Sequence, residues 1–483
     1  MRIPKKAPDW QATISGNPEV LTAFQSPEVQ KFVREANDRY FHWDRFWHRP
    51  MPQGLKPPEA WAAIQISRLS QYQPLPISSE DTNSTLRYWH PPRHLEWLHQ
   101  IDMLAGGSIG VPQDHSIMDE GDRDRYLFNS LMEEAIASSQ LEGASTTREH
   151  AKQMLRGKRK ARTKAEQMVT NNYNAILEIR DLKREPLTPE LIKHLQTVIT
   201  HDTLEDESAS GRFRRPDERV RVEDARTNEP IFVPPTAHSI DWRMDEVCGF
   251  ANEKSEPFVH PVVKAIALHF AIGFVHPFVD GNGRTARAIF YWYMLKRNYW
   301  LFEFLPISRI FLKAPVKYAR AYLYTETDDG DLTHFLNYHL KVIVRSIHEL
   351  HGYLAQKRSK MIAVAELLES YPELNYRQRD FLLETARRQN RKFTVKQYEG
   401  MFQVTNNTAR SDLNQMVSHG FLRSALDGKK AVFYPVKNAL TRLISPPKTG
   451  GPKHERPKLS PLKDSTPAAT RQKTLFETLD ESL

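Results

Sequence analysis

The stretch HPFVDGNGRTAR, residues 276–287, decides how this chain is interpreted. An apolar segment at 261–275 with helical spacing leads into it, and a second helix is predicted to begin at about Arg284. Pro277 ends the first helix and predicts an extended conformation at His276, because a proline ring clashes with helical backbone in the residue before it. The glycines that follow predict a tight turn without bulky side chains.

The residues of this stretch suit the binding of a polyphosphate. The free N–H groups and the dipole at the start of the second helix form an anion site. Arg284 and Arg287 are three residues apart, so we expect both to project from the same face of the first turn. Asp280 offers a hard oxygen ligand for Mg²⁺, and His276, with an ordinary pKa of about 6.5, can accept a proton from a hydroxyl at neutral pH. The alternative interpretation is a hydrogen-bonded core histidine next to an ordinary turn.

At every defined position the stretch resembles the signature HPFx(D/E)GNGRxxR of the Fic family. The resemblance extends over about residues 120–350. It implies a mainly α fold, in which a Fic-type helical bundle carries a small β-hairpin flap. It also implies a protein adenylyltransferase, which moves AMP from ATP to a Ser, Thr or Tyr hydroxyl of a target protein or of itself, with ATP and Mg²⁺ as cofactors.

The resemblance also implies a role for each residue of the motif. In the family the matching residues act as follows: His276 is the base, Asp280 holds Mg²⁺, Asn282 and the amides of Gly281 and Gly283 stabilise the α- and β-phosphates, Arg284 contacts the β-phosphate and Arg287 the γ-phosphate. Phe278 is expected in the core. Relatives with lysine in place of the second glycine transfer the γ-phosphate instead, so Gly283 favours AMP transfer.

A second segment, SSQLEG at 138–143, resembles the family's inhibitory motif, (S/T)xxxE(G/N). The resemblance pairs Glu142 with Arg287 and gives Ser138 the first position of the motif. A carboxylate in the guanidinium fork would remove the γ-phosphate clamp and repel the incoming anion. The alternative is that Glu142 is a surface residue at the end of a helix.

Two β-prone segments between the helices predict a hairpin at 220–233. It occupies the place of the family's target-docking flap, and we expect it to pair with an extended loop of the target by strand addition. The flap residues are Val220, Arg221, Val222, Ile231, Phe232 and Val233. The segment GRFR at 211–214, just before the hairpin, also resembles a recurring segment of the family.

The C-terminal part predicts a winged helix-turn-helix domain at 361–440. Three helices are predicted, at 378–388, 395–401 and 406–418, followed by a hairpin joined through Asp427-Gly428. Asn406, Asn407, Arg410 and Ser411 would face outward from the third helix toward DNA. A winged helix that contacts protein, or a second copy of this chain as a homodimer partner, is the equally weighted alternative.

The positive charge of the chain lies in the same region. The whole chain has 68 Lys+Arg and 59 Asp+Glu residues. Residues 376–483 contain 20 of the basic and 10 of the acidic residues, so the rest of the chain is nearly neutral. This distribution indicates a nucleic-acid-binding appendage or a charged tail. Residues 445–483 are rich in Pro, Lys and Thr and are expected to be a disordered basic tail. The sequence therefore predicts four divisions. Residues 1–120 are of uncertain fold, 121–355 form the Fic domain with its inhibitory helix, 361–440 form the winged helix-turn-helix domain, and 445–483 form the tail.

Other features limit the setting of the protein. The single cysteine, Cys248, excludes an intramolecular disulfide and a cysteine-based zinc site, and it fits a reducing cytoplasm. The N-terminus lacks the apolar run of a signal peptide, and no segment is long enough to span a membrane. The main alternative function is a DNA-binding transcriptional regulator in which the Fic core senses nucleotide or removes AMP.

Overall fold

The computed structural model describes residues 2–52, 54–79, 84–106, 120–157, 159–223, 229–253, 257–369, 371–387, 392–427 and 430–436. The chain divides into two compact units, residues 1–354 and 355–483. Helices make up most of both, as the mainly α prediction required. No described helix is both long and apolar enough to cross a membrane.

The first unit contains fifteen of the described helices and the start of another. They are α1 (Trp10–Gly16), α2 (Val20–Ala23), α3 (Pro27–Arg39), α4 (Trp43–Phe46), α5 (Pro57–Leu69), α6 (Pro92–Ala105), α7 (Glu120–Leu141), α8 (Arg148–Arg156), α9 (Lys164–Leu182), α10 (Pro189–Thr200), α11 (Ile240–Asn252), α12 (Pro261–Val275), α13 (Asn282–Lys296), α14 (Ser308–Lys313), α15 (Pro315–Glu326) and α16 (Thr333–Glu369). Two antiparallel pairs accompany them: β1 (Gln73–Ser78) with β2 (Thr85–Tyr88), and β3 (Val222–Glu223) with β4 (Pro230–Phe232).

Helices α12 and α13 form the centre of this unit. Thirteen of the fifteen residues of each helix are buried, which is the pattern of a helix surrounded on all sides by other elements. Helices α7, α9 and α10 pack against α13, and α11 packs against α12. The link between α12 and α13 is the 276–281 loop, so the signature stretch is held between the two most buried helices of the unit.

The N-terminal region differs from its prediction. The sequence showed no long helical period in residues 1–120, yet the described part contains α1–α6 and the β1–β2 hairpin. The helices are 4 to 14 residues long and are separated by turns and a hairpin, so no single period extends through the region. Within the aromatic segment at 41–47, Trp43 and Phe46 are buried and pack against Trp61.

The second unit has its own apolar core and a small sheet. Its elements are α17 (Tyr376–Arg387), β5 (Phe393–Thr394), α18 (Val395–Phe402), α19 (Asn406–Ser418), β6 (Leu422–Asp427) and β7 (Lys430–Pro435). The sheet order is β5-β7-β6, with both pairings antiparallel. Strand β5 was not predicted, because two residues are too few to show an alternating pattern. The assignment as a winged helix-turn-helix stays a prediction, and residues 445–483 lie outside the described part.

Candidate active site

The backbone at His276 is not extended, and that prediction is wrong. His276 is the C-terminal cap of α12, with φ 52° and ψ 56°, and its N–H donates to the Ile272 carbonyl at 3.0 Å. A left-handed cap closes the last turn of the helix, and here this outweighs the local preference imposed by Pro277. A residue other than glycine is strained in this conformation, so the surrounding structure has to hold it there.

The imidazole of His276 has a defined tautomer and is only partly exposed. Its Nδ1 lies 3.1 Å from the Gly273 carbonyl oxygen, which can only accept, so Nδ1 carries the proton and Nε2 keeps its lone pair. Burial lowers the pKa of His276 below 6.5, against the opposite effect of the Glu142 and Asp280 carboxylates. The ring is therefore neutral at pH 7 and can accept a proton at Nε2.

The turn after Asp280 leads into the start of α13 and leaves main-chain N–H groups free, as an anion cradle requires. Helix α13 begins at Asn282, two residues before the predicted start, and its first intrahelical bond runs from Thr285 N to the Gly281 carbonyl at 2.8 Å. The N–H groups of residues 282–284 therefore have no acceptor within the helix. Gly281 has φ 88°, and a Cβ there would lie 2.8 Å from Cγ2 of Thr200, so only glycine fits.

The side chain of Asn282 builds the loop rather than the cradle. Its Oδ1 accepts from the Phe278 N–H at 2.9 Å, and its Nδ2 donates to the Phe278 carbonyl at 2.8 Å. Both bonds are buried, and Phe278 is fully buried, as predicted. The main-chain N–H of Asn282 is left to face a phosphate.

Asp280 fits the predicted Mg²⁺ ligand. Its Oδ1 lies 3.1 Å from Nη2 of Arg284, and 47% of the side chain is exposed. One accessible carboxylate beside an anion cradle is the donor set that Mg²⁺ uses when substrate phosphates and waters supply its other ligands.

The two arginines of the motif bond to different elements, contrary to the predicted common face. Arg284 donates to the Ile199 carbonyl at the end of α10, at 3.1 Å, and to Asp280. Arg287 reaches α7 instead, where it contacts Ser138 and Glu142. Long side chains follow the acceptors within reach, so spacing alone did not fix their direction. The buried Nε of Arg284 has no hydrogen-bond partner among the described residues, which leaves one donor for a ligand.

Glu142 and Ser138 meet Arg287 as the inhibitory motif implied. The Glu142 Oε1 lies 2.9 Å from Nη2 of Arg287, while Ser138 accepts from Arg287 with its hydroxyl at 2.9 Å and with its carbonyl at 3.0 Å. Burial opposes the charge of Arg287, but the Glu142 carboxylate and Tyr318 together outweigh burial, so the pKa of Arg287 is raised. A Cβ on Gly283 would overlap the Glu142 carboxylate, so that carboxylate lies directly against the cradle.

The flap hairpin is present but shorter than predicted. Strands β3 and β4 pair Val222 with Phe232 and Glu223 with Pro230. By the same register Val220 would lie opposite Pro234, which has no N–H to donate, so the ladder ends before it. Phe232 packs on Phe274 with ring centroids 5.5 Å apart. The strand residues predicted at Val220, Arg221 and Val233 lie outside the ladder, and residues 224–228 lie outside the described part.

A second cluster of acidic and imidazole groups lies outside this site. Asp328, Asp331 and His334 are buried within reach of one another. The cluster already contains a buried cation, since Nη1 of Arg68 lies 4.0 Å from Asp328. The hydroxyl groups of Tyr40 and Tyr72 also donate to Asp331. These partners satisfy the carboxylates, so we interpret the cluster as an ion-pair network that fastens the N-terminal helices.

Three residues that the sequence analysis did not assign also shape the site. Gln196 donates to the Asp280 carbonyl at 3.2 Å and accepts from the Gly211 N–H at 2.7 Å. Arg214 bonds to the His276 carbonyl, and Tyr318 bonds to Arg287. They lie 15 to 84 residues from their partners, so no local spacing reveals them; only the GRFR resemblance pointed to the segment that contains Arg214.

In the second unit the four candidate DNA-contacting residues are all exposed on α19. They are Asn406, Asn407, Arg410 and Ser411. Arg410 Nε donates to Asn406 Oδ1 at 2.8 Å, so two of them bond to each other.

The fold and the site define a helical domain in which a neutral histidine stands at the entrance to an anion cradle. Residues 186–294 match the Fic/DOC family model, and the chain thus contains a domain of that family. Residues 1–120 and the second unit lie outside the matched segment.

Named relatives and a solved structure agree with this assignment. Protein adenylyltransferase Fic of Nematostella vectensis is 27% identical over 99 residues, which are 20% of this chain and 23% of that protein. Protein adenylyltransferase Fic of Drosophila grimshawi is 27% identical over 138 residues, 27% of this chain and 26% of that protein. This chain thus spans about a quarter of the curated relatives it matches. A Fic family protein from Desulfovibrio desulfuricans G20 shares the fold, with a TM-score of 0.50 at 16% identity, covering 72% of this chain and 97% of that one.

Proposed function

We propose that this chain is a protein adenylyltransferase that transfers AMP from ATP to a Ser, Thr or Tyr hydroxyl of a target protein and of itself. The observation that carries the proposal is the imidazole of His276, neutral and with Nε2 unprotonated, beside the free N–H groups of residues 282–284. The names of the curated relatives support the same reaction.

The proposed reaction is a single displacement at the α-phosphorus. His276 Nε2 takes the proton of the target hydroxyl, and the hydroxyl oxygen forms a bond to the α-phosphorus. The bond between the α-phosphorus and the bridging oxygen breaks, and pyrophosphate leaves with that electron pair. The product is a protein side chain joined to AMP, with the proton on His276.

Hydrogen-bond donors in fixed positions stabilise the negative charge that develops on the phosphates. The N–H groups at the start of α13 face the α- and β-phosphates, and the unpartnered Nε of Arg284 adds a charged donor. Arg287 binds the γ-phosphate once Glu142 has left it. When bound at Asp280, Mg²⁺ neutralises charge on the α- and β-phosphates.

In this conformation Glu142 inhibits the binding of ATP. Its carboxylate accepts a hydrogen bond from Arg287, where the γ-phosphate would bind, and lies against Gly283, whose N–H would face the α- and β-phosphates. ATP therefore has to displace a charge-assisted hydrogen bond, and it meets a like charge on approach.

Labelling with two forms of ATP tests the reaction. The Glu142→Gly variant is incubated with Mg²⁺ and ATP labelled at either the α- or the γ-phosphate. The proposal expects incorporation from the α-label only, at a higher level than in the unmodified chain. Incorporation from the γ-label would identify a kinase and reject AMP transfer. A second arm adds unlabelled protein to the purified AMP-modified product and measures AMP release, which detects the reverse reaction.

A second function, DNA binding by the second unit, rests on the exposed face of α19. Asn406, Asn407, Arg410 and Ser411 offer side chains that can reach base edges or phosphates. The test is duplex DNA binding by the full chain at several salt concentrations. DNA binding requires an affinity that falls as salt rises and weakens further in Arg410→Ala, because phosphate contacts release counterions. An unmeasurable affinity at low salt would leave the protein-contact alternative.

A further inference from the structure

Arg214 lies in the loop that precedes the flap, and it is buried, with 8% of its surface exposed. Its backbone N–H donates to the Pro277 carbonyl at 2.8 Å. The side chain adds a bond from Nε to the His276 carbonyl at 2.9 Å and one from Nη2 to the Pro235 carbonyl. One residue thus bonds to two successive carbonyls of the catalytic loop and to the residue that ends the flap.

These bonds act where the backbone is strained. His276 has a left-handed conformation directly before a proline, which is unfavourable for both reasons. Such a conformation persists only when neighbouring groups hold it. Arg214 binds the carbonyl of the His276–Pro277 peptide with its side chain and the carbonyl of the following peptide with its backbone N–H, so it can hold this part of the loop in place.

The buried location of Arg214 costs free energy, and an apolar residue could fill the same space without that cost. Burial lowers the pKa of its guanidinium, since a charged group loses hydration in the interior. The neighbouring Phe213 packs on Phe278 with ring centroids 5.5 Å apart, so the same loop also braces the apolar side of the catalytic loop.

We propose that Arg214 is a positioning residue that holds the His276 ring against the cradle and fixes the base of the flap relative to it. The inference rests on the proposed AMP transfer and deepens it. One guanidinium sets the location of the base, His276, and of the flap strand on which a target would dock. The proton acceptor and the target hydroxyl are thereby held at the correct distance from each other. A displacement of about 1 Å between reacting groups lowers rates on the order of 100-fold.

The test uses the full chain with Glu142→Gly as parent and self-modification as readout. Arg214→Met and Arg214→Lys are compared with Arg212→Met, a matched control from the same loop whose guanidinium pairs with Glu218. We expect Arg214→Met to lower kcat about 100-fold and Arg214→Lys about tenfold, because lysine keeps the charge but not the planar fork. The KM for ATP should stay within about twofold, since the cradle is untouched. A raised KM with unchanged kcat, or the same loss in Arg212→Met, would overturn the proposal.

Two further measurements do not depend on AMP transfer. Hydrogen–deuterium exchange should rise together in the 276–282 loop and at 229–236 in Arg214→Met, and remain at the parent level in Arg212→Met. An NMR titration of the His276 ring should give a higher pKa in Arg214→Met than in Arg214→Lys, because the positive charge at position 214 opposes protonation of the ring. Unchanged exchange in both segments would reject the positioning role. An inactive parent would reject the proposed function and leave this comparison intact.

Discussion

The 276–287 loop and the exposed face of α19 both carry the polar side chains that the sequence singled out, but they differ in how those side chains are held. In the 276–287 stretch, Asn282, Arg284 and Arg287 are buried: Asn282 bonds to Phe278 of the same stretch, Arg284 to the end of α10, and Arg287 to Glu142 just after α7. On α19, Asn406 and Arg410 are exposed and bond to each other. Burial fixes a side chain to one geometry, whereas an exposed one adapts to whatever it meets. The chemistry of the first region can be read from its geometry, and the partner of the second cannot.

The largest expected effect of a single substitution is at the base. His276→Ala, in the Glu142→Gly parent, should lower self-modification at least about 100-fold, because general base catalysis contributes 10²- to 10⁴-fold in rate. Labelling from the α-phosphate measures it. His194→Ala is the control, since this exposed histidine on α10 bonds to Glu178. Equal loss in both variants, or full activity in His276→Ala, would place the base elsewhere.

Substitution of the inhibitory residue Glu142 should give the next largest effect on the rate of self-modification. Glu142→Gly should raise self-modification roughly 5- to 150-fold, the range that couplings between sites usually span. Glu142→Gln keeps the size of the side chain but removes its charge, so it should relieve only part of the inhibition. Initial rates at saturating Mg²⁺ compare the three proteins. Indistinguishable rates in the original chain and both variants would show that the contact with Arg287 does not control ATP.

Activity should depend on pH through His276. Burial lowers the pKa of its ring, so the acid limb of the rate should lie below pH 6.5, with full activity above it. The Glu142 carboxylate favours the protonated ring, and its removal in Glu142→Gly should move that limb to lower pH. Rate profiles from pH 4.5 to 8, at about constant ionic strength, measure the shift. A limb above pH 6.5 would mean that the titrating group is another residue.

The smallest effect concerns stability and contrasts the two regions directly. Asn282→Ala should lower the free energy of unfolding by about 2 kcal/mol, because it leaves the buried N–H and carbonyl of Phe278 without their partner. Asn407→Ala, on the exposed face of α19, should change it by less than about 0.5 kcal/mol. Chemical denaturation followed by fluorescence compares the two variants. Equal changes would show that burial does not separate the regions as described.

The sequence predicted the catalytic motif because its residues are adjacent in the chain. Helix start, glycine turn and histidine lie within twelve positions, and each has a local physical reason. The contact of Glu142 with Arg287 followed from the family resemblance, since no spacing connects residues 145 positions apart. The flap was found as a hairpin, and its length was overestimated because Pro234 limits the ladder.

Other features could not be predicted from local patterns. The proline rule gave an extended His276, whereas the cap of α12 and the bonds from Arg214 hold a left-handed one. Arg284 and Arg287 diverge because their acceptors come from α10 and α7, which only the tertiary fold brings near. In each case a distant contact outweighed a local preference.

The central claim is that the 276–287 loop directs the α-phosphate of ATP onto a hydroxyl. Intact-protein mass spectrometry tests it most directly, on Glu142→Gly with and without His276→Ala, after incubation with ATP and Mg²⁺. AMP transfer with His276 as the base requires added mass equal to AMP in the single variant and none in the double variant. A gain equal to one phosphate, or an AMP gain that persists without the imidazole of His276, would contradict it.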